Sequence, residues 1–147
     1  MIFTIRQYHQ ADLHDLISAW ESANALAHPF LSSDFVDKVR HDIPNLYLPN
    51  TDTWVAEHNK KVIGFIALMG NEVAAIFVDI QFHGLGAGKV LMDKAHSFHP
   101  SLEVEVFEDN TIGRKFYISY GFELINESLH EPSGKQVLRL LFSQSKN

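Results

Sequence analysis

The sequence predicts an α/β fold built on a sheet of mixed strand directions, and three observations carry that prediction. The candidate elements run strand, two helices, three strands, helix, strand, helix, two strands, which is not a regular βαβ alternation. Short polar turns at Asn59-Lys60 and Asn71-Glu72 join three apolar runs into consecutive strands, the first two as a hairpin. A glycine-rich stretch, Gly84-Leu85-Gly86-Ala87-Gly88, separates the last of these runs from a helical pattern.

Phe3-Thr4-Ile5-Arg6-Gln7 alternates apolar and polar residues and reads as the first strand. Leu13, Leu16, Ile17, Trp20, Ala23 and Ala27 recur at helical spacing, predicting an amphipathic helix from about Gln10 to Leu26. His28-Pro29 ends it, because proline lacks a backbone donor and restricts the residue before it. Ser32 or Ser33 caps a second, short helix carrying Phe35, Val36 and Val39. The stretch from Leu46 to Asp52, with Pro49-Asn50 inside it, reads as a loop. Thr53–His58 and Lys61–Met69 are the hairpin strands, and the apolar Val73–Val78 suits a central strand. Val90, Leu91, Ala95 and Phe98 mark one side of the helix after the glycines, which stops at His99-Pro100. Leu102–Phe107 alternates as a strand, and Thr111–Tyr120 is a short helix closed by Gly121. Phe122–Ile125 and Gln136–Phe142 are the closing strands, with Pro132-Ser133-Gly134 turning between them.

A chain of 147 residues fits a single domain, 1–147, with one well-filled core. Hydrophobic residues at 46 % and charged residues at 20 % argue against disorder. The formal charge of −6 speaks against a nucleic-acid partner, which needs a basic face, and mildly favours a cationic substrate. Absent cysteine excludes disulfides, thiol nucleophiles and cysteine-ligated zinc. His96 and His99 have a spacing compatible with a metal, but no further ligands converge in sequence and no metal is expected. The N-terminus lacks the pattern of a signal peptide, and no apolar run is long enough to cross a bilayer. The expectation is a cytoplasmic protein, monomer or homodimer, without a membrane partner.

Glycines between an apolar strand and a helix suit an anion. Backbone N–H groups approach one where no Cβ intervenes, and the first helical turn has unpaired donors and a favourable dipole. Lys89 adds a full charge beside them. A P-loop would need glycine at residue 83 and Ser or Thr at residue 90, which are His83 and Val90. A dinucleotide fingerprint fails as well, because the loop follows a meander and residue 89 is Lys.

The segment Val78-Asp79-Ile80-Gln81-Phe82-His83-Gly84-Leu85-Gly86-Ala87-Gly88-Lys89 resembles motif A of the GNAT acetyltransferases, in which Arg or Gln precedes spaced glycines after a central strand. The register of His83 with Gly86 and Gly88 keeps the family's distance from Val78, with His in place of Arg or Gln. A second motif is similar to the family's Asn, then Tyr seven residues on, then Gly-Phe: Asn110, Tyr117 and Gly121-Phe122. The resemblance covers nearly the whole chain, including Arg6 on the first strand followed by an amphipathic helix. It implies a mixed, mostly antiparallel sheet of six to seven strands flanked by four helices and splayed where acetyl-CoA binds.

The reaction that the resemblance implies is direct attack of a primary amine on the acetyl thioester of acetyl-CoA. Ile76, Phe77 and Val78 map to the strand that binds the pantetheine arm, and an N–H of that strand steadies the thioester oxygen. His83, Gly84, Leu85, Gly86, Ala87, Gly88 and Lys89 map to the pyrophosphate loop, and Asn110 lies beside the donor. Tyr117 is the candidate acid for the departing thiolate, with helix packing as its other reading. Tyr120 reads as structural. Glu105 is a candidate base or part of a solvated strand face shared with Glu103, and Glu72 is a second candidate. A water chain without a single base is a third route. His28 and Phe30 lie where the family's acceptor cleft is partly built. Two functions follow: an N-acetyltransferase acting on a small-molecule amine, a protein lysine or an N-terminal amine, or a GNAT-like module that holds coenzyme A without transfer.

Overall fold

The computed structural model describes residues 1–143. Its strands are β1 (Thr4–Gln7), β2 (Asp52–His58), β3 (Lys61–Met69), β4 (Glu72–Val78), β5 (Ser101–Phe107), β6 (Glu123–His130) and β7 (Lys135–Ser143). Its α-helices are α1 (Leu13–Ala27), α2 (Ser33–Asp42), α3 (Ala87–Phe98) and α4 (Thr111–Tyr120). The strands form one sheet in the order β1-β2-β3-β4-β5-β7-β6. All neighbours are antiparallel except β4 and β5. The mixed α/β architecture and four flanking helices agree with the expectation.

Local chemistry accounts for most of the elements. Asn59 and Lys60 adopt φ values of 52° and 68° at the β2–β3 turn, the left-handed pair that matches the twist of a two-residue hairpin. Ser32 caps α2 by accepting from the Phe35 N–H, and Asn110 caps α4 by accepting from the Gly113 N–H. Arg6 ties β1 to its neighbours, donating to both carboxylate oxygens of Asp12 at 2.8 Å and to Glu57 at 2.8 Å.

The sheet separates two apolar clusters. One face of β2 and β3 packs Val55, Val62 and Phe65 against Leu16 and Trp20 of α1 and Ile43 beyond α2. The opposite face packs Ile66, Val104 and Leu140 against Leu91, Met92 and Ala95 of α3, and against Tyr117 of α4. The β5–β7 half carries Glu103, Glu105 and Arg139 on the other side of the strands from Val104, Val106, Leu138 and Leu140.

Two expectations need correction. Residues from Leu46 to Asn50 are helical rather than loop: α2 runs into a π-turn at Ile43–Tyr47 and a 3₁₀ turn at Leu48–Asn50. The side-chain amides of Asn45 and Asn50 donate to the carbonyls of His41 and Leu46, at 2.8 and 2.6 Å, four residues back. Pro44 and Pro49 occupy first-turn positions, where no N–H is needed, so two prolines accompany helical turns. The strand expected at Phe122–Ile125 starts one residue later and extends to His130, because pairing with β7 outweighs its weak apolar pattern.

The feature that creates a site is the β4–β5 junction. These parallel strands pair at only two positions, Glu72 with Glu103 and Val73 with Val104, and then separate. On the β3 side the ladder shifts by one residue, leaving Ala74 as a bulge between Val73 and Ala75. From Ala74 onward the β5-facing edge of β4 opens into a cleft.

Candidate active site

The cleft encloses about 1320 Å³ and reaches from the glycine loop to the helical turns after α2. Its floor is the bulged stretch of β4, and Ile76, Phe77 and Val78 all line it. A short 3₁₀ turn, Ile80–Phe82, carries the chain from β4 to the glycines. Gly84 and Gly86 have φ values of +76° and +94°, which residues with a Cβ rarely adopt. They turn the chain so that α3 begins at Ala87 with its axis ending on the cleft. The first helical backbone bond of α3 runs from the Val90 N–H to the Gly86 carbonyl, so the N–H groups of Ala87, Gly88 and Lys89 lie in the turn before it. Gly88 has another purpose: a Cβ there would stand 3.0 Å from the Phe116 ring, so its absence lets α3 and α4 close on each other.

The side chains around the loop are engaged elsewhere. The His83 Nε2–H donates to the Val78 carbonyl at 2.7 Å, folding the loop back on the end of β4. Lys89 pairs with Asp93 at 2.9 Å, one turn along α3, and Leu85 is exposed at the tip. What the loop offers the cleft is backbone.

Tyr117 is buried on α4 and lines the cleft, packing edge-on against Phe116 and Phe122. Burial alone pushes its hydroxyl well above the usual phenol range, so it keeps its proton at neutral pH. Tyr120 faces the other way, donating from its hydroxyl to Asp93 at 2.7 Å and tying α4 to α3.

Asn110 and His28 form a linked pair. The Asn110 Oδ1 accepts the Gly113 N–H at 2.8 Å, which orients its amide and leaves Nδ2 as the donor to His28 Nε2 at 3.2 Å. With Nε2 accepting, the proton resides on Nδ1, which donates to Asn24 Oδ1 at 2.7 Å. Burial lowers His28 to about 4, consistent with a neutral ring. Both nitrogens are therefore occupied inside the protein, and the ring lies between Phe77 of β4 and Phe107 of β5, with centroid separations of 6.2 and 5.1 Å. Phe30 packs edge-on against His28 and Phe107. His28 thus bridges the splayed strands as an aromatic wall.

Glu105 lines the cleft from β5, two residues before Phe107. Glu72 lies at the vertex of the splay and accepts from Arg139 Nη1 at 3.0 Å. Among the described residues no group of His, Asp or Glu is arranged to hold a metal, and no helix is long and apolar enough to cross a membrane. Sequence reasoning did not single out Asn24, Phe107, His130, Arg139 or the Ala74 bulge. Asn24 had a local signal, its four-residue helical spacing from His28. The others depend on strand register, which no short segment contains.

The comparisons with known proteins point one way. Residues 49–124 match the family model described as the acetyltransferase (GNAT) domain. The chain is 30 % identical over 136 residues to the peptidyl-lysine N-acetyltransferase YjaB of Escherichia coli, covering 92 % of each chain. It is 30 % identical over 123 residues to the peptidyl-lysine N-acetyltransferase YiaC of the same organism, covering 83 % of this chain and 84 % of that one. The solution structure of apo YjaB from E. coli matches with a TM-score of 0.87 at 28 % identity, over 99 % of this chain and all of that one. The coenzyme A complex of PaiA N-acetyltransferase from Thermoplasma acidophilum shares the fold, with a TM-score of 0.73 at 18 % identity over 95 % of this chain and 98 % of that one.

Proposed function

The chain belongs to the GNAT acetyltransferase family, and from that premise we propose that it is a single-domain cytoplasmic enzyme transferring acetyl from acetyl-CoA to the side-chain amine of lysine in proteins or peptides. The observation that carries the reading is the continuous path of backbone groups from the first turn of α3 along the open edge of β4 to Tyr117. The names of the two E. coli relatives favour lysine over other amines as the acceptor.

Each part of the cleft has a task in this reading. The first-turn N–H groups of Ala87, Gly88 and Lys89 receive the pyrophosphate, helped by the helix dipole. The exposed edge at Ile76, Phe77 and Val78 accepts the pantetheine arm as an added strand would. Next to the Ala74 bulge, a strand N–H turned toward the cleft steadies the carbonyl oxygen as charge develops.

Acetyl-CoA supplies the activated acyl group. The amine nitrogen bonds to the acetyl carbon, and the carbon–sulfur bond breaks. Tyr117, kept protonated by burial, gives its proton to the departing sulfur. The acceptor ammonium must first lose a proton, since lysine titrates near about 10.4. Glu105 takes it, from a position on the acceptor side of β5. His28 acts as wall rather than base, because both its ring nitrogens are already bonded, and Phe30 packs against it and Phe107.

The test is turnover with acetyl-CoA and a panel of lysine peptides, polyamines and α-amines. Thiol release matched mole for mole by ε-acetylation in mass spectra is the expected outcome. Acetylation confined to non-lysine amines would overturn the acceptor. Binding of acetyl-CoA with no thiol release on any amine would leave a coenzyme A-binding module.

A further inference from the structure

Arg139 lies on β7 directly opposite Glu105 of β5 and reaches across the strand toward β4. Its Nε donates to Glu103 Oε1 at 2.9 Å and its Nη1 to Glu72 Oε2 at 3.0 Å. Glu72 and Glu103 are themselves one of the only two backbone pairs that join β4 to β5. A single guanidinium therefore staples three strands at the vertex from which the cleft opens. The same Nη1 is 3.8 Å from Glu105 Oε2, too far for a hydrogen bond but close for a charge.

Three carboxylates thus surround one cation, and they are not equivalent. Glu72 and Glu103 each spend an oxygen on a charge-assisted hydrogen bond. Glu105 alone among the three lines the cleft and keeps both oxygens clear of that bonding. Asn126 of β6 pairs across from Arg139, and Tyr47 and His130 line the same cleft as Glu105 from the turn after α2 and from β6.

We propose that Arg139 is a positioning residue for acetyl transfer, holding Glu72 and Glu103 at the vertex so that Glu105 is the carboxylate free to take the acceptor's proton. The inference rests on the reading of Glu105 as the base. The chemistry is a proton transfer: an N–H of the acceptor ammonium breaks, its proton bonds to a Glu105 oxygen, and the amine lone pair is freed for attack. Arg139 contributes in two ways. It removes two competing acceptors of that proton, and its charge offsets the repulsion between Glu105 and its two acidic neighbours.

Arg139→Gln and Arg139→Lys test this, with kcat/KM followed against pH and acetyl-CoA binding measured separately. In Arg139→Gln the acid limb of the profile moves to higher pH, because a positive charge 3.8 Å from the Glu105 carboxylate has been removed. Acetyl-CoA affinity stays within about twofold, and Arg139→Lys restores most of the shift. An acid limb that stays in place in a folded Arg139→Gln overturns the inference and makes Arg139 a purely structural staple. Should Arg139→Gln not fold, Glu72→Gln and Glu103→Gln each remove a negative neighbour, and each moves the limb to lower pH; no movement in either also overturns it. Glu105→Gln distinguishes the base from the residue that positions it. Wild-type turnover and profile in that variant would remove the base reading itself, whereas lost turnover beside an unmoved Arg139→Gln profile would remove only the role of Arg139.

Discussion

The two sides of the cleft are made of different material. The side proposed for the donor is backbone: the open edge of β4, the bulge at Ala74, and the first turn of α3 behind Gly84 and Gly86. The side proposed for the acceptor is side chains gathered from separate elements, with His28 from the α1–α2 connection, Glu105 and Phe107 from β5, and His130 from β6, and with Phe30 packed behind His28 and Phe107. Backbone recognition requires a strand, a helix start and permissive glycines, and it leaves most side chains free to vary. Side-chain recognition depends on which residues the register brings together.

The sharpest way to probe the division is at the residue between the two sides. Tyr117→Phe keeps the ring packing and removes the proton, so kcat falls by at least about 100-fold while acetyl-CoA affinity is unchanged. Equal turnover in steady-state assays would take Tyr117 out of the acid role. Next in size is His28→Ala, which strips partners from Asn24 and Asn110 and leaves a void between Phe77 and Phe107. It costs about 3 kcal/mol in urea unfolding, and acceptor KM rises more than donor KM.

The same histidine makes stability depend on pH. Burial lowers its folded value to about 4, below the ordinary 6.5, so the unfolded chain binds the proton first as pH falls. The stabilisation is complete above 6.5 and is lost progressively toward 4. Between pH 7 and pH 5 the wild type loses about 2 kcal/mol from this group, and His28→Gln removes that component from the pH dependence of urea unfolding. The smallest effect belongs to the donor side. Gly86→Ala meets no neighbour but must hold φ near +94°, a strain of about 1–2 kcal/mol. Titration with acetyl-CoA is expected to show roughly tenfold weaker binding, with the acceptor KM unaltered. A larger change in acceptor KM than in donor affinity would break the comparison.

Much of the donor side was legible in the chain because its signals are local. Alternate glycines after an apolar strand, and Asn110 three residues before the N–H that it caps, each lie within one short segment. The helix start at Ala87 falls within the stretch from His83 to Gly88, whereas the His83 side chain turns to the Val78 carbonyl and Lys89 to Asp93. The acceptor side was legible only as separate residues. His28, Phe30, Glu72 and Glu105 were picked out individually, but that His28 bridges two strands and that Arg139 binds Glu72 and Glu103 depends on pairing between β4, β5 and β7. The helical turns from Ile43 to Asn50 were hidden because proline and asparagine signal loops, and here they serve as first-turn and carbonyl-capping residues.

The order of elements, the hairpin at Asn59-Lys60, the glycine turn before α3 and the capped helix that bears Tyr117 follow from the sequence. Periodicity, turn chemistry and capping act over a few residues, and those few residues are contiguous in the chain. Only the tertiary structure decided where β4 and β5 part, which carboxylates Arg139 occupies, and that both nitrogens of His28 face inward. Those outcomes are set by strand register and by packing between elements dozens of residues apart, where a shift of one residue would turn each side chain to the opposite face.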